Sequence, residues 1–151
     1  MTIKYMMHVG VCVSDLNRSI RFYRDGLGFE EAGGLEISGE PTATLVDIPD
    51  LELRAVYLDR DGLRIELLHY PSPGCIGVAE ARPMNQLGLT HMAVRVENLD
   101  DAIAKLAALG GTALEHTRVR DQQYNAEIIY LTDPDGTRLE LIETPNDPTR
   151  P

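Results

Sequence analysis

Residues 8–16 read HVGVCVSDL, and residues 91–99 read HMAVRVENL. A second match joins DGLRIEL at residues 61–67 to DGTRLEL at residues 135–141. The two segments of the second match are nine residues closer together in the sequence than the two segments of the first match. An internal match of this kind indicates one structural unit that is used twice, with nine extra residues in its first copy.

The chain is expected to form a single domain over residues 1–151, built from these two copies. Module one covers residues 5–70 and module two covers residues 88–144. A linker that contains proline and glycine, residues 71–87, joins them. Each module is too small to bury a full core alone, so the two are expected to work together.

The composition is that of an ordinary globular protein and excludes several partners. Of 151 residues, 43% are hydrophobic, and 24 acidic against 14 basic residues give a formal net charge of −10. An acidic surface repels phosphate backbones and anionic lipids, so neither nucleic acid nor a membrane is expected as a partner. The N-terminus lacks the features of a signal peptide. Cys12 and Cys75 form no CxxC motif, and we expect inert thiols in a cytoplasmic protein.

Each module is predicted to begin with a strand and a helix. Valines alternate with other residues across residues 9–13, which is the period of a half-buried strand. Ser14 or Asp15 then provides an N-cap, and apolar residues follow at helical spacing from Leu16 to Leu27. Short β-rich runs and hairpin-type turns come after the helix in both modules. The sequence therefore predicts βαβββ twice, an α+β fold.

Side-chain alternation places four potential metal ligands at equivalent positions of the two modules. His8 and His91 lie opposite the core-facing residues of the first strands, and Glu66 and Glu140 lie opposite those of the last strands. Two imidazoles and two carboxylates balance a divalent cation, and their mixed donors suit Ni, Co, Mn, Fe or Zn. We expect one divalent metal ion to be bound; a vestigial cup without metal is the alternative.

The chain resembles the vicinal oxygen chelate superfamily, which includes glyoxalase I, methylmalonyl-CoA epimerase, extradiol dioxygenases, and fosfomycin and bleomycin resistance proteins. The likeness rests on residues 8–13 together with Ser19, Phe22-Tyr23 and Leu27-Gly28-Phe29, which fit the first glyoxalase I motif. The resemblance implies that the modules form a curved mixed sheet around a metal cup. It also implies a ligand set of a His and an acid from each module: His8, Glu66, His91 and Glu140.

The ligand set is most similar to that of glyoxalase I, a divalent-metal-dependent lyase or isomerase that transfers a proton through a metal-bound enediolate. The resemblance implies that Glu140 is the leading base and Glu66 its partner ligand and second acid–base. The substrate is expected to be a small molecule such as a thiol or CoA conjugate, and the protein a homodimer. Arg95, Arg64 and Arg138 share the ligand-bearing faces, where they either grip an anionic substrate group or pair with acids of the protein.

Three other functions stay open within the resemblance. Residues 63–68 and 70–73 are similar to methylmalonyl-CoA-type epimerases, although these commonly place Gln where Glu66 stands. Residues 129–140 follow the tail of the extradiol dioxygenase motif, but residues 121–123 lack its second-sphere His, and Glu66 would crowd the site. The third is a non-catalytic small-molecule binding or resistance protein.

Overall fold

The computed structural model describes residues 2–147. The chain divides into two compact units, with unit one ending at Gly77 and unit two beginning at Val78. This boundary lies inside the segment predicted as a linker. Among residues 2–147, none of the helices is long and apolar enough to cross a membrane.

Unit one is a four-stranded mixed sheet with two short helices. Its elements are β1 (Val9–Cys12), α1 (Leu16–Arg21), β2 (Glu30–Ser38), α2 (Thr42–Val46), β3 (Glu52–Arg60) and β4 (Leu63–Ser72). The strands lie in the order β1-β4-β3-β2, with β1 parallel to β4 and the other pairs antiparallel.

Unit two repeats this arrangement with one strand in two pieces. Its elements are β5 (Met92–Val96), α3 (Leu99–Ala108), β6 (Thr112–Ala113), β7 (Val119–Asp121), β8 (Ala126–Thr132) and β9 (Arg138–Glu143). The order is β5-β9-β8-β6, β7 also pairs with β8, and β5 is parallel to β9. A 3-10 turn at Glu115–Thr117 separates β6 from β7. The predicted α+β fold is confirmed.

Helix α1 begins as predicted, and the helical segment changes pitch in its second half. The Asp15 side chain accepts a hydrogen bond from the Arg18 backbone N–H at 2.9 Å, which makes Asp15 the N-cap. After Arg21 the helix widens into a π-helical turn, in which the Leu27 N–H donates to the carbonyl of Phe22 at 3.2 Å. A π turn adds a residue to the repeat, so Phe22 and Tyr23 are both fully buried although they are adjacent in sequence.

The strands that carry the acidic candidates alternate as predicted. Ile65 and Leu67 of β4 are fully buried, and Leu139 and Leu141 of β9 are fully buried in the same way. The residues between them lie on the opposite, partly exposed face of each sheet. Each unit therefore has an apolar face that packs against its helices and a second face that is free to carry polar chemistry.

The extra residues of unit one build α2. This helix and the segment after it form a small buried cluster of Ala43, Leu51 and Leu53, against which Leu68 and Tyr70 pack. Leu68 and Tyr70 lie two and four residues after Glu66 on β4, and so on the same face of the sheet. The insertion in unit one thus covers part of the face that carries Glu66.

Candidate active site

In unit one, His8 and Glu66 form a close pair. The His8 Nε2 and Glu66 Oε2 atoms are 3.0 Å apart, and the two side chains are 31% and 13% exposed. His8 immediately precedes β1, in which Gly10 pairs with Glu66 across the parallel β1–β4 ladder. The strand pairing therefore sets the distance between the imidazole and the carboxylate.

Unit two forms the same pair at the same register. His91 Nε2 and Glu140 Oε2 are 3.2 Å apart, and Ala93, two residues after the histidine, pairs with Glu140. Thr90 Oγ1 lies 2.9 Å from His91 Nδ1. A hydrogen bond from Nδ1–H to this hydroxyl leaves the lone pair of Nε2 available to a metal ion.

The donor chemistry of both pairs fits a divalent metal. Imidazole nitrogen and carboxylate oxygen bind such ions at about 2.0–2.2 Å, so two donors at right angles around one ion lie about 3 Å apart. Both observed separations match this value. Within residues 2–147, no group of three or more His, Cys, Asp or Glu side chains is placed to hold a metal ion. The structure thus places the four predicted ligands in two His–Glu pairs, one in each unit.

Each pair has a tyrosine neighbour that the sequence analysis missed. Tyr57 on β3 is in register with Glu66, and its ring centroid is 5.6 Å from that of His8. Tyr130 on β8 is in register with Glu140, and its ring centroid is 5.5 Å from that of His91. A signal was present, since both strands contain a Tyr-Leu pair shortly before the hairpin turn.

The two tyrosines differ in how they meet the carboxylates. A hydrogen bond to Glu66 is the main cause that raises the pKa of Tyr57 above its ordinary value, and burial adds to it. Burial is the main cause that raises the pKa of Tyr130, followed by the negative charge of Glu140. A hydrogen bond to the glutamate is thus the leading cause for Tyr57 and the smallest of the raising causes for Tyr130.

Arg64 and Arg138 occupy matching positions but have different partners. Arg64 makes two hydrogen bonds of 2.6 Å to the carboxylate of Asp59, which lower the pKa of Asp59. The residue paired with Arg138 across the hairpin is Thr132, which carries no charge. Arg138 donates to Met84 Sδ at 2.9 Å. Among residues 2–147 it makes no ion pair, and its buried Nε atom has no hydrogen-bond partner.

Both arginines stack on the tyrosines. The guanidinium carbon is 5.8 Å from the Tyr57 ring centroid for Arg64 and 5.6 Å from the Tyr130 ring centroid for Arg138. These distances are within the range of cation–π contacts. Each unit therefore contains His, Glu, Tyr and Arg in one group, which we call its His–Glu cluster: His8, Glu66, Tyr57 and Arg64 in unit one, and His91, Glu140, Tyr130 and Arg138 in unit two.

Arg95 lies apart from the His–Glu cluster of unit two. Its side chain is exposed and donates to the carbonyl of Pro145 at 3.3 Å. It lines a groove of about 820 Å³ with Arg120 and Glu127, and this groove is not lined by His91 or Glu140. Arg95 is therefore the predicted substrate-binding residue that the structure does not bring to a His–Glu pair.

Comparison with known proteins establishes the family. Residues 5–141 match the family model of the Glyoxalase/Bleomycin resistance protein/Dioxygenase superfamily. The chain belongs to this superfamily, which confirms the resemblance seen in the sequence. The family's own name covers enzymes and resistance proteins, so the reaction has to be argued from the site.

Three similar proteins illustrate the relationship. The uncharacterized protein YwkD of Bacillus subtilis is 30% identical over 152 residues, covering 95% of this chain and 99% of that protein. A probable lactoylglutathione lyase of Synechocystis is 27% identical over 141 residues, covering 93% of this chain and 95% of that protein. The crystal structure of a glyoxalase family protein from Bacillus cereus shares the fold, with a TM-score of 0.80, 20% identity, and coverage of 95% and 96% of the two chains.

Proposed function

We propose that this protein is a divalent-metal-dependent lyase or isomerase of the glyoxalase I type. The observation that carries the proposal is the matched pair of His–Glu contacts, 3.0 Å and 3.2 Å long, at the same register in both units. The similarity to a probable lactoylglutathione lyase supports the same reaction class.

In this proposal His8, Glu66, His91 and Glu140 are the ligands of one divalent ion: Ni, Zn, Co, Mn or Fe. The two imidazoles donate nitrogen, and the two carboxylates balance the charge of the ion. When bound, such an ion supplies Lewis-acid stabilisation of negative charge on a substrate oxygen.

Glu140 is proposed as the base. Its carboxylate removes the proton from the carbon next to the substrate carbonyl and returns a proton to the neighbouring carbon. For a hemithioacetal of a 2-oxoaldehyde, this transfer gives a hydroxyacyl thioester, and no atoms are gained or lost. Glu66 is the partner ligand and a second acid–base. The hydrogen bond from Tyr57 to Glu66 supports this division, because it would hold the Glu66 carboxylate in place.

Arg138 is the proposed anchor for an anionic group of the substrate. Arg64 is already bound by the Asp59 carboxylate through both of its hydrogen bonds. Arg138 has no carboxylate partner among residues 2–147, and its hydrogen bond goes to Met84. It lies two residues before Glu140 on the same strand face, about 7 Å along the strand. Arg95 is a more distant candidate at the edge of unit two. The substrate class is a small thiol or CoA conjugate, handled in the cytoplasm by a homodimer.

Metal analysis coupled to a substrate panel tests the proposal. The purified protein is stripped with a chelator, reloaded with each of the five metals, and assayed with methylglyoxal plus several thiols, with methylmalonyl-CoA, and with simple catechols. Thioester formation from methylglyoxal and a thiol that needs metal is the expected result. Turnover of methylmalonyl-CoA alone would establish the epimerase function instead. Ring cleavage of a catechol would establish the dioxygenase function. Failure to bind any of the metals would favour a non-catalytic binding or resistance protein.

A further inference from the structure

Cys12 and Cys75 are far apart in the sequence but side by side in unit one. Cys12 is the last residue of β1, and Cys75 follows the end of β4. Their sulfur atoms are 3.8 Å apart, and the thiol of Cys12 donates to Cys75 Sγ. Both residues are exposed and are present as thiols. The expectation of inert thiols did not include this contact.

The backbone near the pair holds Cys75 against the end of β1. The Cys75 thiol donates to the carbonyl of Val13 at 3.2 Å, and the Val13 N–H donates to the carbonyl of Leu68 at 2.8 Å. A contact that does not involve the Cys12 sulfur therefore helps to keep Cys75 beside the end of β1. A disulfide needs the sulfurs at about 2.05 Å, so they must approach by roughly 2 Å, a distance that side-chain rotation supplies at exposed residues.

We propose that Cys12 and Cys75 form a reversible disulfide when the protein meets an oxidant of the peroxide class. The product is a redox-sensitive crosslink between the end of β1 and the segment that follows β4. Because it closes a loop across most of unit one, the crosslink restricts the opening of this unit.

The chemistry balances with hydrogen peroxide as the oxidant. One thiolate sulfur attacks a peroxide oxygen, the O–O bond breaks, and the sulfur becomes a sulfenic acid. The second thiolate attacks that sulfur, the S–S bond forms, and the hydroxyl group leaves as water after protonation. In total the two thiols lose two electrons and two protons, and one peroxide molecule becomes two water molecules.

The crosslink is separate from the proposed metal ligands. Cys12 is four residues after His8 on the same strand face, about 13 Å along the strand. The reaction uses neither His8 nor Glu66, and it does not rest on the proposed function. Experiments can therefore be done in the presence of a chelator, which also prevents metal-catalysed oxidation.

The test follows the full-length reduced protein during treatment with limited hydrogen peroxide and a chelator. Intact mass and non-reducing peptide mapping are measured at several times. The expected product has lost the mass of two hydrogen atoms, yields a linked Cys12–Cys75 peptide, and no longer reacts with an alkylating reagent. A dithiol reductant restores both thiols, and dilution of the protein leaves the rate unchanged because the reaction occurs within one chain.

Two single variants are the matched controls. Cys12→Ser and Cys75→Ser each keep one sulfur, so neither gives an intramolecular crosslink, and each accumulates a sulfenic acid that dimedone traps. The proposal is overturned if the unsubstituted protein gives separate sulfinic acids without a linked peptide. It is also overturned if the only linked peptides join two different chains, as shown by a rate that falls on dilution.

Discussion

The two His–Glu clusters share the distance between imidazole and carboxylate and differ in the charge around it. In unit one, Tyr57 donates a hydrogen bond to Glu66, and Asp59 neutralises Arg64. In unit two, Thr132 stands opposite Arg138, so the position that Asp59 fills in unit one has no charge. The cluster of unit one, together with Asp59, therefore has two carboxylates for one guanidinium. The cluster of unit two has one carboxylate and one guanidinium.

This difference suggests a division of work between equivalent parts. The cluster of unit one carries more negative charge, and the cluster of unit two carries a guanidinium without a carboxylate partner among residues 2–147. In the proposed function the His and Glu side chains of both units hold the ion, Glu140 also moves the proton, and Arg138 binds the anionic group of the substrate. The repeated strand pairing thus accounts for the two His–Glu pairs, and a change at one neighbouring position, Asp59 against Thr132, separates the proposed roles of the two units.

The largest difference in kcat is expected between variants of the two glutamates, Glu140 and Glu66. Glu140→Gln should lower kcat by about 10²–10⁴-fold at saturating metal, because the proposed base is lost. Glu66→Gln should act mainly on metal affinity and retain more of kcat once metal is saturating. Steady-state kinetics with methylglyoxal and a thiol, at several metal concentrations, separates the two effects. A larger kcat loss in Glu66→Gln would reverse the assignment.

The arginines should differ in substrate binding. Arg138→Ala should raise the KM for an anionic substrate by about tenfold, the size expected for the loss of a charge-assisted hydrogen bond. Arg64→Ala is the matched control and should leave KM nearly unchanged, because Asp59 already occupies that guanidinium. Arg95→Ala tests the more distant candidate and should give a smaller rise than Arg138→Ala. Equal KM values for the Arg138 and Arg64 variants would remove the proposed asymmetry.

The tyrosines should differ in their support of the metal ligands. Tyr57→Phe should weaken metal binding by about tenfold, because hydrogen bonds to metal ligands commonly contribute 10–100-fold. Tyr130→Phe should weaken it less, since a hydrogen bond to Glu140 is the smallest of the causes that raise the pKa of Tyr130. Competition with a chromophoric chelator, using cobalt, measures both affinities. A greater loss in Tyr130→Phe would contradict the view that Glu66 is the restrained ligand.

The smallest effect concerns pH and the Arg64–Asp59 pair. Hydrogen bonds from Arg64 lower the pKa of Asp59 below its ordinary value of 3.8. The folded-state pKa is thus below the unfolded value, so the pair stabilises the fold above the unfolded pKa and this contribution is lost as pH falls through the folded pKa. The free energy of unfolding of the unsubstituted protein should therefore exceed that of Asp59→Asn at pH 7, with a gap that closes in acid. Urea unfolding across this range measures the gap; a constant or widening gap would show that the pair does not titrate in this way.

Much of the fold was predictable from the sequence, because repetition and alternation are local signals. The valines before Asp15 identify β1, and the period of two along β4 and β9 places Glu66 and Glu140 away from the core. Other features depend on pairing between distant segments. Tyr57 meets Glu66 only through the β3–β4 register, and the Cys12–Cys75 contact needs β1 to lie beside β4. The π turn after Arg21 and the helix α2 arise from packing that no short pattern encodes.

The number of metal ions bound by each chain distinguishes the proposed single metal site from two separate ones. If the two His–Glu pairs are halves of one site, the stripped and reloaded protein should bind one divalent ion per chain, measured by elemental analysis after gel filtration. His8→Ala and His91→Ala, one from each unit, should each lower the affinity for that ion. Two ions per chain would show that each His–Glu pair is a metal site of its own. A chain that binds no ion would show that the pairs are only hydrogen-bonded contacts. Either result would contradict the proposal of one divalent ion per chain.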